Sequence, residues 1–319
     1  MTAIIPEMNF TKPGSVDPKK IFGPIEKFNV TNLFGSPALI KKLADSDAQV
    51  VSQMNSLNRV ISAGAPVPAQ TLSNLRNRLS DHTLIHTPYG ATECLPIASI
   101  SCSTILGETM EATKNGKGVC VGKPVSSADV SIIKIDDAPI SNWSDELSLP
   151  QGEIGEIVVK AKQVTEGYYN RPKSTLLAKI SDRDSGDLIH RMGDLGYLDS
   201  KGRLWFCGRK THRVPTNKET LYTIPFEARF NDHAKVYRTA LIGIGSGIKK
   251  PVLCVETKET LSKNQKNKLH SELLSIAKSN KVTQGLDHIL FHPKFPVDIR
   301  HNSKIFREKL AVWAEGKIT

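Results

Sequence analysis

The stretch His86-Thr87-Pro88-Tyr89-Gly90-Ala91-Thr92-Glu93 decides how this chain is read. Consecutive positions hold a rigid ring (Tyr89), a Gly90-Ala91 pair, a hydroxyl (Thr92) and a carboxylate (Glu93). A loop that must approach a nucleotide closely needs this set. Glycine lets the backbone come near, a ring can stack on a base, and a hydroxyl can donate to a phosphate oxygen. The carboxylate is a hard oxygen ligand suited to Mg2+, which keeps waters and bridges phosphates. The same residues also suit a plain turn with a capping threonine, so the flanking chain has to decide.

Upstream, Ile21, Phe22, Ile25 and Phe28 have helical apolar spacing. Val30 to Phe34 reads as a buried strand bounded by Gly35-Ser36-Pro37, and Ala38 to Leu43 as a helix capped by Ser36 with Pro37 in its first turn. Arg59 to Ser62 reads as a strand, Thr71 to Leu79 as a helix, and Thr83 to His86 as a strand running straight into the opening loop. Strand and helix in alternation predict a parallel sheet, which binds ligands at its strand C-ends. After Gly118 the texture becomes β-rich: Val130 to Ile135, Ile154 to Lys160 and Leu204 to Cys207 read as short strands of an antiparallel subdomain. Beyond Gly208, paired strands at Thr239 to Ile244 and Pro251 to Glu256 and a helix lined by Leu269, Leu273, Leu274 and Ala277 predict a small α+β domain. The expected divisions are 1–120, 121–208 and 209–319.

The 319 residues suffice for two domains, and no stretch approaches the ~20 apolar residues of a membrane span. Five scattered cysteines without a Cys-x-x-Cys predict reduced thiols in a cytoplasmic protein and argue against a zinc site. The net charge of +11 is dispersed. Its densest part, with Lys263, Lys266 and Lys268, reads as a solvated helix rather than a nucleic-acid surface. Gly243-Ile244-Gly245-Ser246-Gly247 lacks the spacing of a dinucleotide fingerprint and is rejected as one.

Four further stretches surround the opening one in fixed order. These are Ser62-Ala63-Gly64-Ala65-Pro66; Gly152-Glu153-Ile154-Gly155-Glu156-Ile157 with Gly167-Tyr168-Tyr169; Arg191-Met192-Gly193-Asp194-Leu195-Gly196-Tyr197 followed by Gly208-Arg209-Lys210; and Asn302-Ser303-Lys304-Ile305. Together they resemble the adenylate-forming superfamily of acyl-CoA synthetases, luciferases and peptide-synthetase adenylation domains. Thr31 to Ile40, His86 to Ile97 and Phe295 to Leu310 are similar to the β-lactone synthetase branch of bacterial long-chain olefin biosynthesis.

The resemblance implies an α/β fold: the C-terminal part of the large domain (mostly parallel sheet plus a small antiparallel β subdomain), then a small α+β domain with the catalytic lysine. It implies an AMP-forming ligase that uses ATP and Mg2+ to activate a long-chain 2-alkyl-3-hydroxy acid, whose own hydroxyl then closes a β-lactone. By the same resemblance Gly64, Ala65 and Pro66 lie on the adenine side, and Tyr89 with Gly90 and Ala91 against the base. Thr92 binds phosphate, Glu93 binds Mg2+, and Asp194 and Arg209 hold the ribose. Lys304, with Thr92, is catalytic, and Thr211 is the hinge. Turn, surface and solvated readings of Gly64 to Pro66, Asp194, Arg209 and Lys304 stand beside these roles on the residues alone.

Two departures matter. The Ser/Thr/Gly-rich phosphate loop ending in Pro-Lys-Gly is absent from the sequence, so the chain is expected to be truncated and inactive alone. Neighbouring olefin-pathway enzymes, or a chain supplying the N-terminal lobe, are then candidate partners. Thr211 stands where relatives carry Asp or Lys, and Val214-Pro215-Thr216-Asn217 replaces the glycine-bearing loop that lines the pantetheine tunnel of thioester-forming members. That favours an intramolecular acceptor over CoA. A fragment of a long-chain acyl-CoA synthetase, or a non-catalytic remnant, are the alternatives.

Overall fold

The computed structural model describes residues 2–46, 54–298 and 304–318. Helix α1 (Lys19–Lys27) buries Ile21, Phe22 and Ile25. Strand β1 (Asn32–Gly35) leads into α2 (Pro37–Ala44), where Ser36 accepts a hydrogen bond from the Leu39 N–H and Pro37 fills the first turn. Strand β2 (Arg59–Ser62), helix α3 (Ala69–Arg76) and strand β3 (Leu84–Ala91) follow. The three strands pair in parallel, with Phe34 opposite Ile61 and Ile61 opposite His86. The helices cover one face of this sheet, packing Phe22, Ile40, Leu43, Leu72 and Leu75 against Val60 and Ile85.

Two sequence expectations are corrected here. Val30 to Phe34 reads as a buried strand, but β1 begins at Asn32 and pairs, among the described residues, with β2 alone. A strand with one neighbour and one covered face leaves alternate side chains in solvent, and Phe34 is 69% exposed. The second concerns His86 to Glu93. It is not a loop after a strand: β3 continues to Ala91 and folds back through Thr92 and Glu93 into β4 (Cys94–Ser101), pairing Thr87 with Ile100 and Tyr89 with Ala98. The apolar run after Glu93 supplies a ladder partner for backbone groups that a loop would leave unpaired. Gly90 sits at the irregularity of this hairpin, where a Cβ would lie 2.8 Å from the Cys94 carbonyl oxygen.

From β4 onward the sheet is antiparallel. A short helix α4 (Cys102–Thr104) passes through a π-helical turn at Ile105–Thr109 into α5 (Met110–Lys114). Then come β5 (Val119–Pro124), β6 (Ala128–Ile133), β7 (Gly155–Ala161), α6 (Pro172–Ala178), β8 (Lys179–Ser181), β9 (Leu188–Leu198) and β10 (Leu204–Arg209). One ten-stranded sheet runs in the order β1-β2-β3-β4-β5-β10-β9-β7-β6, with β8 on β9. Its antiparallel part closes over Ile97, Val121, Ile132, Ile157, Val159, Met192 and Leu204. The crossing of β4 and β5 requires Gly122: its φ is +92°, and a Cβ would stand 2.0 Å from the Ser99 carbonyl oxygen.

After a 3-10 turn at Lys210–His212, β11 (Val214–Pro215) pairs with β12 (Thr220–Leu221). The remaining elements are α7 (Thr223–Asn231), β13 (Val236–Ile244), β14 (Lys250–Thr257), α8 (Lys263–Lys278), β15 (His288–Phe291) and α9 (Arg307–Ile318). The three-stranded sheet β13-β14-β15 has core on both faces. Phe226, Phe230, Leu269 and Leu273 lie on one side, Phe295, Leu310 and Ala314 on the other. Helix α8 starts with a Ser262/Gln265 capping box and exposes Lys263, Lys266 and Lys268, a solvated face as expected. Gly245 and Gly247, both at positive φ, make the β13–β14 turn. All five cysteines are buried and unpaired. Among the described residues no helix is long and apolar enough to cross a membrane.

Candidate nucleotide-binding active site

The chain from Gly193 to Arg209 forms a hairpin that sets two of the nominated residues face to face. Asp194 on β9 pairs directly with Arg209 on β10. Gly193, at φ +63°, allows the turn of backbone just before the aspartate. Asp194 is 4% exposed, and its Oδ2 accepts a 2.7 Å hydrogen bond from the Tyr89 hydroxyl on β3. Its Oδ1 lies 3.1 Å from Arg209 Nη1, yet among the described residues it accepts no aligned hydrogen bond. Burial pushes the Asp194 carboxyl up, while Arg209, the Tyr89 hydroxyl and the Lys304 charge pull the other way. A buried acceptor with an unused lone pair beside a half-exposed guanidinium is suited to a pair of vicinal hydroxyls.

Lys304 follows the three-stranded sheet in sequence, yet its charge reaches Asp194 on the ten-stranded one. It is exposed, and its carbonyl accepts from the Asp298 N–H at 2.9 Å, next to a bridge between Val297 and Ile305. Asn302 and Ser303 of the same motif lie outside the described residues. Gly64, Ala65 and Pro66 form a bend just beyond the C-terminal end of β2, beside β3, with Gly64 at φ +104°. The Ser62 hydroxyl under this bend is buried with no hydrogen-bond partner among the described residues.

Thr92 is exposed at the β3–β4 turn, and Glu93 beside it is partly buried. Glu93 Oε1 accepts from the Tyr168 hydroxyl at 2.8 Å, and its carbonyl from the Thr165 N–H at 2.9 Å. Burial pushes the Glu93 carboxyl up, but the Tyr168 hydrogen bond, its own backbone N–H, His190 and Lys179 outweigh it and hold the group below its ordinary value. The Tyr168 phenol is pushed up to about 12 by burial and by Glu93, so it remains a donor. Beneath them, Lys179 is buried, with Nζ 3.4 Å from Thr165 Oγ1. His190 is 2% exposed and donates from Nδ1 to the Ala178 carbonyl at 3.1 Å. Burial, helped by Lys179, pushes His190 down to about 4.

Whether this donor set suits a divalent cation can be judged from its chemistry. Among the described residues no three acidic, histidine or cysteine side chains are placed so as to hold a metal ion by themselves. Glu93 offers one carboxylate with one oxygen already engaged. That does not suit a cation needing an all-protein cage. It does suit Mg2+, which binds through one or two carboxylates, waters and substrate phosphates.

The structure thus joins Tyr89, Asp194 and Arg209 in direct contact and brings Lys304 within electrostatic reach of them. Thr211 is exposed in the 3-10 turn, and it is its neighbours that bond back towards the ten-stranded sheet. Lys210 Nζ lies 3.0 Å from Glu156 Oε1 and donates to the Asp136 carbonyl, while Arg213 pairs with Asp137 at 2.5 Å. Glu156 also pairs with Arg191 at 2.6 Å, both side chains 1% exposed. Tyr168, Lys179, His190 and Lys210 have no role in the sequence reading. Gly167-Tyr168 and Lys210 stand inside motifs it quotes, and only that proximity to motif residues could have flagged them.

At the level of whole sequences, the chain is 47% identical over 322 residues to the olefin β-lactone synthetase of Stenotrophomonas maltophilia, covering 100% of this chain and 57% of that protein. It is 46% identical over 318 residues to the olefin β-lactone synthetase of Xanthomonas campestris, covering 98% and 56%. The chain therefore spans about half the length of the curated relatives it matches. In fold it resembles the amide bond synthetase McbA of Marinactinospora thermotolerans, with TM-score 0.72 and 21% identity over 94% of this chain and 55% of that one. It also resembles the Bacillus subtilis O-succinylbenzoate coenzyme A synthetase solved with ATP and magnesium, with TM-score 0.68 and 21% identity over 92% and 54%. The model of the AMP-binding enzyme family matches residues 7–169, the segment that includes Tyr89, Glu93 and Tyr168; the chain belongs to that family.

Proposed function

We propose that this chain provides the base, ribose and catalytic-lysine parts of a site that activates an acid by adenylation. The observation that bears most weight is the Tyr89–Asp194–Arg209 cluster, whose carboxylate also feels the Lys304 charge. The Tyr89 ring flanks the base, and Asp194 accepts the ribose hydroxyls beside Arg209. Lys304 places a positive charge where negative charge develops as the acid's carboxylate attacks the α-phosphate. Thr92 at the hairpin tip donates to phosphate. Glu93 would hold Mg2+, which supplies neutralisation of phosphate charge when bound. The small lobe, from about residue 209, is taken to be a separate unit hinged near Thr211.

The substrate proposed is a long-chain 2-alkyl-3-hydroxy acid, whose hydroxyl closes a β-lactone with release of AMP. Its support is the identity to two olefin β-lactone synthetases, together with the Val214-Pro215-Thr216-Asn217 sequence in place of a glycine-bearing loop. The Ser/Thr/Gly-rich stretch ending in Pro-Lys-Gly lies outside this sequence, and the β,γ-phosphate cradle is assigned to the part of the relatives' length that this chain does not span. The test combines this chain with the N-terminal remainder of the Stenotrophomonas enzyme and supplies ATP and a 2-alkyl-3-hydroxy acid. Pyrophosphate release and a product lighter than the acid by one water, formed equally with and without CoA, are expected. Lys304→Ala should lower the rate by about a hundredfold. A CoA thioester as the product, or an unchanged rate in Lys304→Ala, overturns the proposal.

A further inference from the structure

Glu93 is gripped at two points by one segment. The Thr165 N–H donates to its carbonyl at 2.9 Å, and the Tyr168 hydroxyl donates to Oε1 at 2.8 Å. That segment is itself seated on α6. The Tyr168 N–H donates to Thr175 Oγ1 at 2.9 Å, and the Tyr168 carbonyl accepts from the Arg171 N–H at 3.1 Å. Gly167 lies so close that a Cβ there would stand 2.9 Å from Thr175 Cγ2. The next residue, Tyr169, is 93% exposed. Two adjacent tyrosines thus have opposite fates, and only the first reaches the site.

We infer that Tyr168 is a positioning residue for the cation: by occupying Oε1 it holds the Glu93 carboxylate in one orientation and would leave its other oxygen to the metal. This rests on the reading of Glu93 as the metal-binding residue. A lone carboxylate at a hairpin tip rotates about its side-chain bonds, and each bound cation must then arrest that rotation. The phenol arrests it beforehand. Groups that orient a metal ligand in this way change metal affinity by about 10- to 100-fold when removed. Thr175, one step further out, sets the height of Tyr168 through its backbone and acts in the same direction more weakly.

The test measures Mn2+, a spectroscopic substitute for Mg2+, binding to the protein–ATP complex by loss of the free-ion resonance, in parallel with metal-free AMP binding by calorimetry. Tyr168→Phe is expected to weaken Mn2+ binding about tenfold and to leave metal-free AMP binding and the melting temperature close to wild type. Thr175→Val should give a smaller loss of Mn2+ affinity, and Tyr169→Phe none. Glu93→Gln separates the two levels of the argument. If it weakens Mn2+ binding while Tyr168→Phe does not, the positioning role is overturned and the metal site stands. If Glu93→Gln binds Mn2+ like wild type, or wild type binds none beyond ATP alone, the metal site falls and the inference with it. Equal loss of AMP and Mn2+ binding in Tyr168→Phe would mark a merely structural tyrosine and also overturn it.

Discussion

Replacing His190 by Asn should change how stability responds to pH. The imidazole is 2% exposed on β9, with its Nδ1 donating to the Ala178 carbonyl. Burial and the neighbouring Lys179 lower its pKa from an ordinary 6.5 to about 4. Because the folded-state value lies below the unfolded one, the contribution is complete above pH 6.5 and disappears as pH falls towards 4. Over that range the unfolded chain takes up a proton that the folded chain refuses. At ~1.4 kcal/mol per pH unit, the interval from 6.5 down to pH 5 amounts to about 2 kcal/mol from this one residue. Asparagine keeps an N–H donor for the Ala178 carbonyl and cannot titrate. The variant should lose about 1 kcal/mol at pH 7.5 through poorer packing, yet lose about 2 kcal/mol less than wild type on going to pH 5. Urea unfolding at both pH values reads this directly, and the carboxylates, common to both proteins, cancel in the difference. His212, also lowered to about 4 by burial and by Arg307, keeps its own share of the acid loss in either protein. A wild-type-minus-variant gap that is the same at pH 7.5 and pH 5 would refute the account of His190.

Two further outcomes follow from the geometry. Gly122→Ala should destabilise the chain by about 3 kcal/mol or more in chemical unfolding, from a left-handed φ and a backbone overlap together. Gly202→Ala, at φ +70° with open space around it, should cost only about 1 kcal/mol, and equal effects would contradict the close approach of β4 and β5. Asp194→Asn should weaken AMP binding about tenfold by calorimetry, the difference between a charged and a neutral hydrogen-bond acceptor; unchanged affinity would remove Asp194 from the ribose site.

The local grammar of the sequence was legible where a side chain acts on its own backbone. Ser36 and Pro37 start α2 as expected. What failed depended on neighbours distant in sequence. Whether Val30 to Phe34 is buried depends on how many strands flank it, and nothing inside the run records that. The opening stretch looked like a loop because Gly90, Ala91 and Thr92 are turn formers, whereas the partner strand after Glu93 holds all but its last two residues extended. Tyr89, Asp194 and Arg209 were nominated through the family resemblance and do meet. The Tyr168–Glu93 bond spans 75 positions, and no local pattern encodes such a pairing.

The anchoring of Lys210 divides the site unequally. With its ammonium between Glu156 and the Asp136 carbonyl, this residue and Arg209 before it belong mechanically to the ten-stranded sheet. A swing about Thr211 of the kind proposed would turn on bonds beyond Lys210, and it would have to release Arg213 from Asp137, Arg229 from Asn115 and Lys114 from Asp232. Such a swing would withdraw Lys304 while Tyr89, Asp194 and Arg209 stayed in register. A nucleotide seated there could keep its grip on the base and sugar while its reacting end was handed from one set of groups to another. The joint would work as a tool changer that never lets go of the workpiece.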